Sequence, residues 1–491
     1  MLIKKYLPYL KIFSAEIICM ILELSASYLS YPYFGNANSV WVSIITTILL
    51  GSCIGNIIGG KLCKKSGKDY TVFSFLLASV FISFILIFSD NLFPVISSVF
   101  KNNTLSAFIA SLILFLPSAI CFGTIPPQIM YKESQKKTYT GINTGFVYAL
   151  STFGGIIGTI IGGFVLVPLF GCKTIIVICI ILCLILSFSD IKIFKNTKAT
   201  LCMILSITSI LISIFSNIEN SGWLNKPYGS AVFDSQYNRI TVQNYIINNK
   251  PSRIMTMASG FESATYTDKD KYELIFEYLK DFDKYTFQNE KIKTKKTLLI
   301  GGAAYQFPKY IISHYKNKNI DVVEIDPEVT KLAKKYFFLQ SCIDEYDKEN
   351  KRLKLINDDG RVFLDNTNNK YDVIFNDAFA GLSPVATLST LEFAEIVKNK
   401  LNHNGLYVSN IIAGNNVENQ KFLNSECYTL SFVFKNVCII KCKDEDETNN
   451  LSNFVVIATD NDLFKNNFSK TDNDILLTDN FCPVDSLSAK R

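Results

Sequence analysis

The first 218 residues contain apolar stretches that are long and almost free of charge. No charged residue occurs between Glu23 and Lys61. A helix needs about 20 apolar residues to cross a bilayer. We predict a first helix at about residues 12–30, an aromatic interfacial turn at residues 31–36, and a second helix after it. This part of the chain therefore predicts a multi-pass α-helical membrane domain.

Five further apolar stretches raise the predicted number of crossings to seven. They cover residues 70–89, 102–131, 138–172, 174–189 and 199–218, of which 174–189 is the shortest. A cleaved signal peptide is a poor alternative for the first helix, because Glu16 and Glu23 interrupt its apolar region. These two acids suggest either a proton or cation site, or contacts to headgroups and a neighbouring helix. Glycines at four-residue spacing predict close helix packing.

Lysines predict the orientation of these helices. Before residue 216 the chain has 15 Lys, no Arg and 6 acidic residues, a balance of +9. Thirteen of the lysines fall on one side of the predicted crossings, against only Lys101 and Lys173 on the other. Positive loops favour the cytoplasm, which places the N-terminus there. Seven crossings then send the remainder of the chain outside.

The remainder has the composition of a water-soluble domain without a basic excess. It carries 34 basic and 37 acidic residues, a balance of −3, which argues against a nucleic-acid partner. Of the 13 Cys, five lie here and form no CxxC pair, and the chain has only two His. We therefore predict no metal site.

After residue 230 the apolar pattern changes to short strands. Residues 231–233 and 239–243 predict a hairpin, residues 253–257 a strand, and residues 271–280 a helix. From residue 297 onwards, strands alternate with helices, which predicts a doubly wound, Rossmann-like (methyltransferase-type) α/β sheet. The predicted strands cover residues 297–300, 320–324, 352–356, 371–376, 405–410, 437–441 and 454–459. The predicted domains are a seven-helix membrane domain at 1–218, a small β-rich subdomain at 219–290, and the Rossmann-like domain at 291–491.

Three features of this sheet predict an adenosine pocket. The first strand ends in Gly301 and Gly302, where glycine lets the backbone approach a ligand. Glu324 ends the second strand, 22 residues after Gly302, where an acid accepts hydrogen bonds from ribose hydroxyls. Asp359 follows the third strand, in reach of an adenine amino group. The alternative is that Glu324 and Asp359 are only solvated strand ends.

Several motifs resemble those of the spermidine synthase family of aminopropyltransferases. They are VEIDPEV at residues 323–329, DDGRVFL at 358–364 and YDVIFNDAF at 371–379, with SQYNRI at 235–240 similar to the family's N-terminal hairpin. The membrane half resembles the variant in which a multi-pass domain is fused to the synthase. Its loop GGKLCKKSGK at residues 59–68 is similar to a loop of major-facilitator transporters.

The resemblance implies transfer of an aminopropyl group from decarboxylated S-adenosylmethionine to putrescine or a related amine, with no prosthetic group. Asp377 matches the family's catalytic aspartate, which orients the amine and accepts its proton; the alternative is a cap of the next segment. Asp326 and Gly360 join Gly301, Gly302, Glu324 and Asp359 as residues expected to bind the donor. The resemblance also implies a homodimer.

Two departures weaken the assignment of substrates. Soluble members of the family have aspartates where this chain has Ala304 and Ala380. Losing two carboxylates removes natural partners of cationic amines. The alternatives are an S-adenosylmethionine-dependent methyltransferase, or a membrane transporter or sensor that an adenosine-binding domain regulates. The proposed donor is made in the cytoplasm, which favours a cytoplasmic catalytic domain and conflicts with the lysine pattern.

Overall fold

A computed structural model describes the whole chain except residues 1, 35–37, 67–69, 101–102, 136–140, 189–196, 258–259, 350, 381–382, 417–418, 444–450 and 489–491. The chain forms two compact units. The first comprises Met1–Trp223 and Val232–Arg239, and the second comprises Leu224–Ala231 and Ile240–Arg491.

The first unit is built from helices, because long apolar segments satisfy their backbone hydrogen bonds internally only in a helix. A π-helical segment, Ile161–Leu166, joins α7 to α8, and a 3-10 turn, Asn220–Asn225, follows α10. The helices are α1 (Leu2–Phe34), α2 (Asn38–Ser66), α3 (Thr71–Val99), α4 (Asn103–Leu114), α5 (Leu116–Gly123), α6 (Ile125–Ser134), α7 (Gly141–Ile160), α8 (Val167–Leu169), α9 (Cys172–Ser187) and α10 (Thr197–Glu219).

Among the described residues, four helical segments are long and apolar enough to cross a membrane by length and composition. They are Tyr6–Tyr31, Val40–Lys64, Thr71–Val99 and Thr144–Leu166. A fifth results if Thr104–Leu114 and Leu116–Ser134, which meet at a bend of 49°, count as one span. Cys172–Ser187 and Thr197–Ser213 are apolar but shorter. All seven predicted apolar stretches thus contain helices, and four or five of them reach the length of a span.

The interfacial turn predicted at residues 31–36 is wrong for residues 31–34, which continue α1 to Phe34. The aromatic rings of Tyr33 and Phe34 pack on Phe93 of α3, with centroid distances of 5.1 and 5.5 Å. Packing against a neighbouring helix therefore extends α1 through a segment whose aromatic composition suggests an interface. Residues 35 and 36 lie outside the described residues.

Glycines bring α7 close to α1. A Cβ on Gly154 would lie 2.5 Å from the carbonyl oxygen of Phe13, and one on Gly158 would lie 2.7 Å from that of Ile17. Larger side chains at these two positions would force the helices apart. The glycine spacing in the sequence therefore corresponds to a tightly packed helix seam.

The β-rich region is a four-stranded antiparallel sheet in the order β1-β2-β3-β4. Its strands are β1 (Ser230–Asp234), β2 (Arg239–Ile247), β3 (Lys250–Met257) and β4 (Gly260–Tyr266), of which β4 was not predicted. The helix predicted at residues 271–280 is displaced to α11 (Glu277–Tyr285). Its expected first half forms turns, because the Thr265 hydroxyl donates to the Lys271 carbonyl and the Glu273 amide donates to the Asp270 carbonyl.

A seven-stranded sheet organises the rest of the chain, in the order β12-β13-β11-β8-β5-β6-β7. The strands are β5 (Lys296–Ile300), β6 (Asn319–Glu324), β7 (Leu353–Asn357), β8 (Tyr371–Asn376), β11 (Leu401–Gly414), β12 (Asn436–Lys441) and β13 (Leu451–Thr459). A two-stranded ribbon of β9 (Phe379–Ala380) and β10 (Ser383–Pro384) follows β8. The strand β13 runs antiparallel to β11 and β12, and the other pairings of the large sheet are parallel.

Helices cover both faces of this sheet. They are α12 (Gln306–His314), α13 (Pro327–Tyr336), α14 (Leu339–Tyr346), α15 (Gly360–Asn366), α16 (Leu391–Lys400), α17 (Lys421–Ser431) and the short α18 (Val484–Leu487). Phe307, Ile311 and Leu339 pack on one face, and Phe393 and Phe422 pack on the other. The predicted Rossmann-like, methyltransferase-type fold is confirmed.

The strand order reverses between β5 and β8. After β5 the chain builds outward through β6 and β7, whereas β8 starts the opposite half of the sheet. Open α/β sheets bind ligands beyond the carboxyl ends of their strands at such a switch point. The ends of β5, β6, β7, β8 and β11 therefore define where a site is expected.

Candidate active site

The turn after β5 requires glycine at two positions. Gly301 has a φ of +94°, and a Cβ there would lie 2.6 Å from the carbonyl oxygen of Asp377. A Cβ on Gly302 would lie 2.6 Å from the ring of Tyr305. Both predicted glycines thus stand where the backbone is left-handed or closely approached.

The rest of the turn is unusual because residues other than glycine adopt left-handed backbone. Ala303 has a φ of +43° and Tyr305 a φ of +54°. The Tyr305 side chain is fully buried, and its hydroxyl hydrogen-bonds the hydroxyl of Thr330 on α13 at 2.7 Å. Such backbone costs about 1 kcal/mol or more per residue and clusters at functional sites.

Glu324 fastens the turn to the neighbouring strand. Its Oε2 accepts hydrogen bonds from the amides of Gly302 at 2.7 Å and Ala303 at 3.3 Å. Its Oε1 accepts one from the amide of Asp326 at 3.0 Å. Burial raises the pKa of this carboxyl, and the three amides oppose the rise. The structure therefore brings Glu324 to the predicted glycine turn.

Asp326 and Asp359 each begin a helix at the same edge of the sheet. Asp326 Oδ1 accepts from the Glu328 amide at 2.9 Å and caps α13. Asp359 Oδ1 accepts from the amides of Arg361 and Val362, at 2.9 and 3.0 Å, and caps α15. Their roles in donor binding stay predictions.

Gly360 lets α15 approach the first strand. A Cβ at this position would lie 2.4 Å from Cγ2 of Ile300, the last residue of β5. The start of α15 is thereby held beside the glycine turn. The structure thus brings the expected donor-binding residues to one edge of the sheet.

Asp377 follows the last residue of β8, where its amide donates to the carbonyl of Ile300 at 2.9 Å. Its Oδ2 accepts a hydrogen bond from the Tyr278 hydroxyl at 3.0 Å, and its Oδ1 accepts one from Asn410 Nδ2 at 3.0 Å. Burial raises the pKa of Asp377 to about 7, against the opposing effect of these two hydrogen bonds. A carboxyl with this pKa is suited to accept a proton near neutral pH.

Sequence reasoning missed the two partners of Asp377. Tyr278 lies at the start of α11, and Asn410 lies on β11, which pairs with β8. The Oδ1 atom of Asn410 is buried and has no hydrogen-bond partner among the described residues. The available signal for Asn410 was a polar residue at the end of the run predicted as a strand at 405–410.

The two departures from the family motifs are present in the fold. Ala304 is fully buried in the glycine turn, and Ala380 ends the short strand β9. Neither position supplies a carboxylate. Within the described part of the chain, no group of three His, Cys, Asp or Glu side chains is arranged to hold a metal ion.

Comparison with known proteins assigns this region to a family model. Residues 269–467 match the spermine/spermidine synthase domain. The matched segment covers less than half of the chain. Together with its polyamine aminopropyltransferase relatives, the match indicates an aminopropyltransferase enzyme.

Two curated relatives illustrate the extent of the similarity. Polyamine aminopropyltransferase 2 of Aquifex aeolicus is 24% identical over 409 residues, which cover 79% of this chain and 76% of the relative. Polyamine aminopropyltransferase of Yersinia pestis is 33% identical over 117 residues, which cover 24% of this chain and 38% of the relative. The chain thus matches well under half of the length of the second relative.

Solved structures were also compared. A probable spermidine synthase from Corynebacterium glutamicum matches with a TM-score of 0.40 and 21% identity, covering 50% of this chain and 83% of that protein. Spermidine synthase from Thermotoga maritima matches with a TM-score of 0.37 and 18% identity, covering 47% and 72%.

Proposed function

We propose that the protein is a membrane-anchored aminopropyltransferase that uses decarboxylated S-adenosylmethionine as donor and putrescine or a related amine as acceptor. The observation that carries this proposal is Asp377. It is held by Tyr278 and Asn410 at the end of β8, beside the glycine turn, with a pKa of about 7.

The reaction makes one demand on the acceptor side. The acceptor nitrogen bonds to the carbon beside the donor sulfonium, the carbon–sulfur bond breaks, and its electrons neutralise the sulfur. Methylthioadenosine leaves as a neutral thioether and needs no acid. The amine must first lose a proton, because an alkylamine with a pKa of about 10 is charged at neutral pH.

Asp377 is the group that would take this proton. With a pKa of about 7 instead of 3.8, the carboxyl differs from the amine by about three fewer pKa units. That reduces the free-energy cost of proton transfer by roughly 4 kcal/mol. The buried Oδ1 of Asn410 offers a second acceptor near Asp377 that cannot itself be protonated. We propose that it holds an N–H of the amine, in the absence of a carboxylate at Ala380.

The donor side would use the edge formed by β5, β6 and β7. A carboxylate offers about four acceptor positions, so Glu324 retains capacity for a ribose hydroxyl beside its three backbone partners. The Asp359 carboxylate would likewise accept a hydrogen bond from the adenine amino group. We propose that Gly301, Gly302, Asp326 and Gly360 shape the backbone around the donor.

Methyl transfer from S-adenosylmethionine is a second candidate function. The observation that favours it is Ala304, which lies buried where soluble spermidine synthases have the aspartate that holds the donor's ammonium group. The sulfonium chemistry is shared, and only the carbon that is attacked and the acceptor differ.

We also propose that residues 1–218 anchor the enzyme in a cell membrane through seven crossings, with residues 219–290 and 291–491 as the β-rich and catalytic domains. Large apolar side chains of the helices are exposed, and Phe164 is the most exposed of them at 81%. Other examples are Leu49, Ile57, Leu169, Ile185, Leu201 and Ile212. Lipid is the environment that covers such surfaces. A homodimer remains a prediction, to be tested by the mass of the detergent-solubilised protein.

The test of the reaction uses the full chain in detergent. We expect methylthioadenosine and an aminopropylated amine to form from decarboxylated S-adenosylmethionine and putrescine, measured by mass spectrometry. Asp377→Asn should lower kcat/KM by about 100-fold or more, because the general base is lost. Asp462→Asn, at an exposed ion pair with Lys435, is the matched control and should retain activity. Product formed only from S-adenosylmethionine would replace this proposal with methyl transfer.

A further inference from the structure

A turn near the C-terminus is tied to the start of α15. Thr478 and Phe481 exchange two backbone hydrogen bonds of 3.0 Å, which places Asp479 at the tip of the turn. Both terminal nitrogens of Arg361 donate to Asp479: Nη1 donates to Oδ1 at 2.7 Å, and Nη2 donates to Oδ2 at 2.6 Å. The Thr390 hydroxyl also donates to Asp479 Oδ1 at 2.9 Å.

Arg361 joins three segments around the expected donor site. It is the second residue of α15, and its amide donates to the capping oxygen of Asp359. Its Nη1 also donates to the Thr387 carbonyl at 3.1 Å and the Thr390 hydroxyl at 3.2 Å. The Arg361 guanidinium therefore connects the start of α15 to the segment before α16 and to the C-terminal turn.

The helix that begins at Gly360 needs such support. It has only seven residues, and helices this short are unstable without tertiary contacts. A two-pronged arginine–carboxylate contact fixes geometry more tightly than a single hydrogen bond does. The ion pair with Asp479 also raises the pKa of Arg361, so the guanidinium stays charged.

We propose that Asp479 is a positioning residue of the donor site. It orients Arg361 and so holds the start of α15, with Asp359, in the position that receives the adenine end of the donor. The proposal rests on the function proposed above. It adds that the C-terminal turn, which lies beyond the residues matched by the family model, is part of the donor site.

The experiment compares Asp479→Asn with the wild type in the full chain. We expect the Kd for methylthioadenosine and the KM for the donor to rise about fivefold, the effect of losing an ion pair worth about 1 kcal/mol. The kcat should stay within about twofold of the wild-type value, because Asp377 follows β8 and does not belong to α15 or to the C-terminal turn. Asp462→Asn, which also removes an exposed carboxylate from an ion pair, should leave all three values unchanged. Asp479→Glu should restore part of the loss.

A second readout does not depend on the donor. Hydrogen exchange of the α15 amides in the unliganded protein should be faster in Asp479→Asn than in the wild type or Asp462→Asn. Arg361→Gln should reproduce the effect, and the double variant should be no worse than either single variant. Unchanged exchange, or a change in kcat without a change in Kd, would overturn the positioning role. A wild type that binds no methylthioadenosine would refute the proposed function, while the exchange rates would still decide whether Asp479 holds α15.

Discussion

At the scale of single residues, the proposed role of Asp377 as proton acceptor predicts how activity depends on pH. The carboxyl must be ionised to accept a proton, and burial raises its pKa to about 7. We therefore expect kcat to fall as the pH decreases through about 7. A carboxyl at its ordinary value of 3.8 would leave kcat flat across this range.

Tyr278 provides the test of this dependence. Its hydroxyl donates to Asp377 and stabilises the ionised form, which lowers the pKa. Tyr278→Phe should shift the acidic limb of the kcat profile upward by about one unit, since hydrogen bonds to charged groups are worth more than 1 kcal/mol. Tyr228→Phe, at an exposed tyrosine, is the control. An acidic limb that stays in place in Tyr278→Phe would show that another group controls the reaction.

The sequence predicted Asp377 but not the residues that set its pKa. Gly301, Gly302, Glu324 and Asp377 follow predicted strands, so their convergence at one edge follows from the parallel sheet alone. Tyr278 and Asn410 reach Asp377 from α11 and from β11. Their contacts depend on where α11 begins and on the register of β11 against β8, which local patterns do not determine.

At the scale of elements, periodicity predicted the large sheet well and the segments around it less well. All seven strands of that sheet were expected, because each contains a short apolar run followed by turn residues. The helix predicted at residues 271–280 is displaced toward the C-terminus, since side-chain and backbone hydrogen bonds stabilise turns at Asp270–Glu273 instead. Local hydrogen bonds of this kind compete with helix formation.

The seam between α1 and α7 makes a prediction at this scale. Gly158→Val should lower the thermal midpoint of the full chain in detergent, because its side chain would overlap the Ile17 backbone; overpacking costs about 1–3 kcal/mol. Gly145→Val is the matched control on the same helix, since a Cβ at Gly145 has no neighbour within 4 Å among the described atoms. Equal thermal midpoints for the two variants would contradict the close packing of α7 against α1.

At the scale of the whole molecule, side-chain contacts between helices define the two ends of the first unit. The Tyr9 hydroxyl donates to Glu133 at the end of α6, and Lys11 donates to Thr71 at the start of α3. These contacts define the end of the helices that holds the start of α1.

At the opposite end, the helices contact Asp234 and Arg239 of the β1–β2 hairpin. Arg239 Nη1 and Lys173 Nζ both contact Asp90 near the end of α3, each at 2.6 Å. Tyr28, near the end of α1, lines a small cavity with Asp234 and Arg239. These contacts hold residues 232–239 against the helices within the first unit.

The proposed seven crossings are an odd number, so we expect the two termini to lie on opposite sides of the membrane. Compartment-sensitive reporters fused to the N- and C-termini should give opposite signals, and a reporter inserted after residue 134 should agree with the N-terminal one. Equal signals from the two termini would contradict an odd number of crossings. The side matters for the proposed reaction. The lysine-rich loops favour a cytoplasmic N-terminus, whereas the proposed donor is made in the cytoplasm and requires residues 291–491 there. An extracytoplasmic C-terminal signal would therefore leave the fold intact and exclude decarboxylated S-adenosylmethionine from the cytoplasm as the donor.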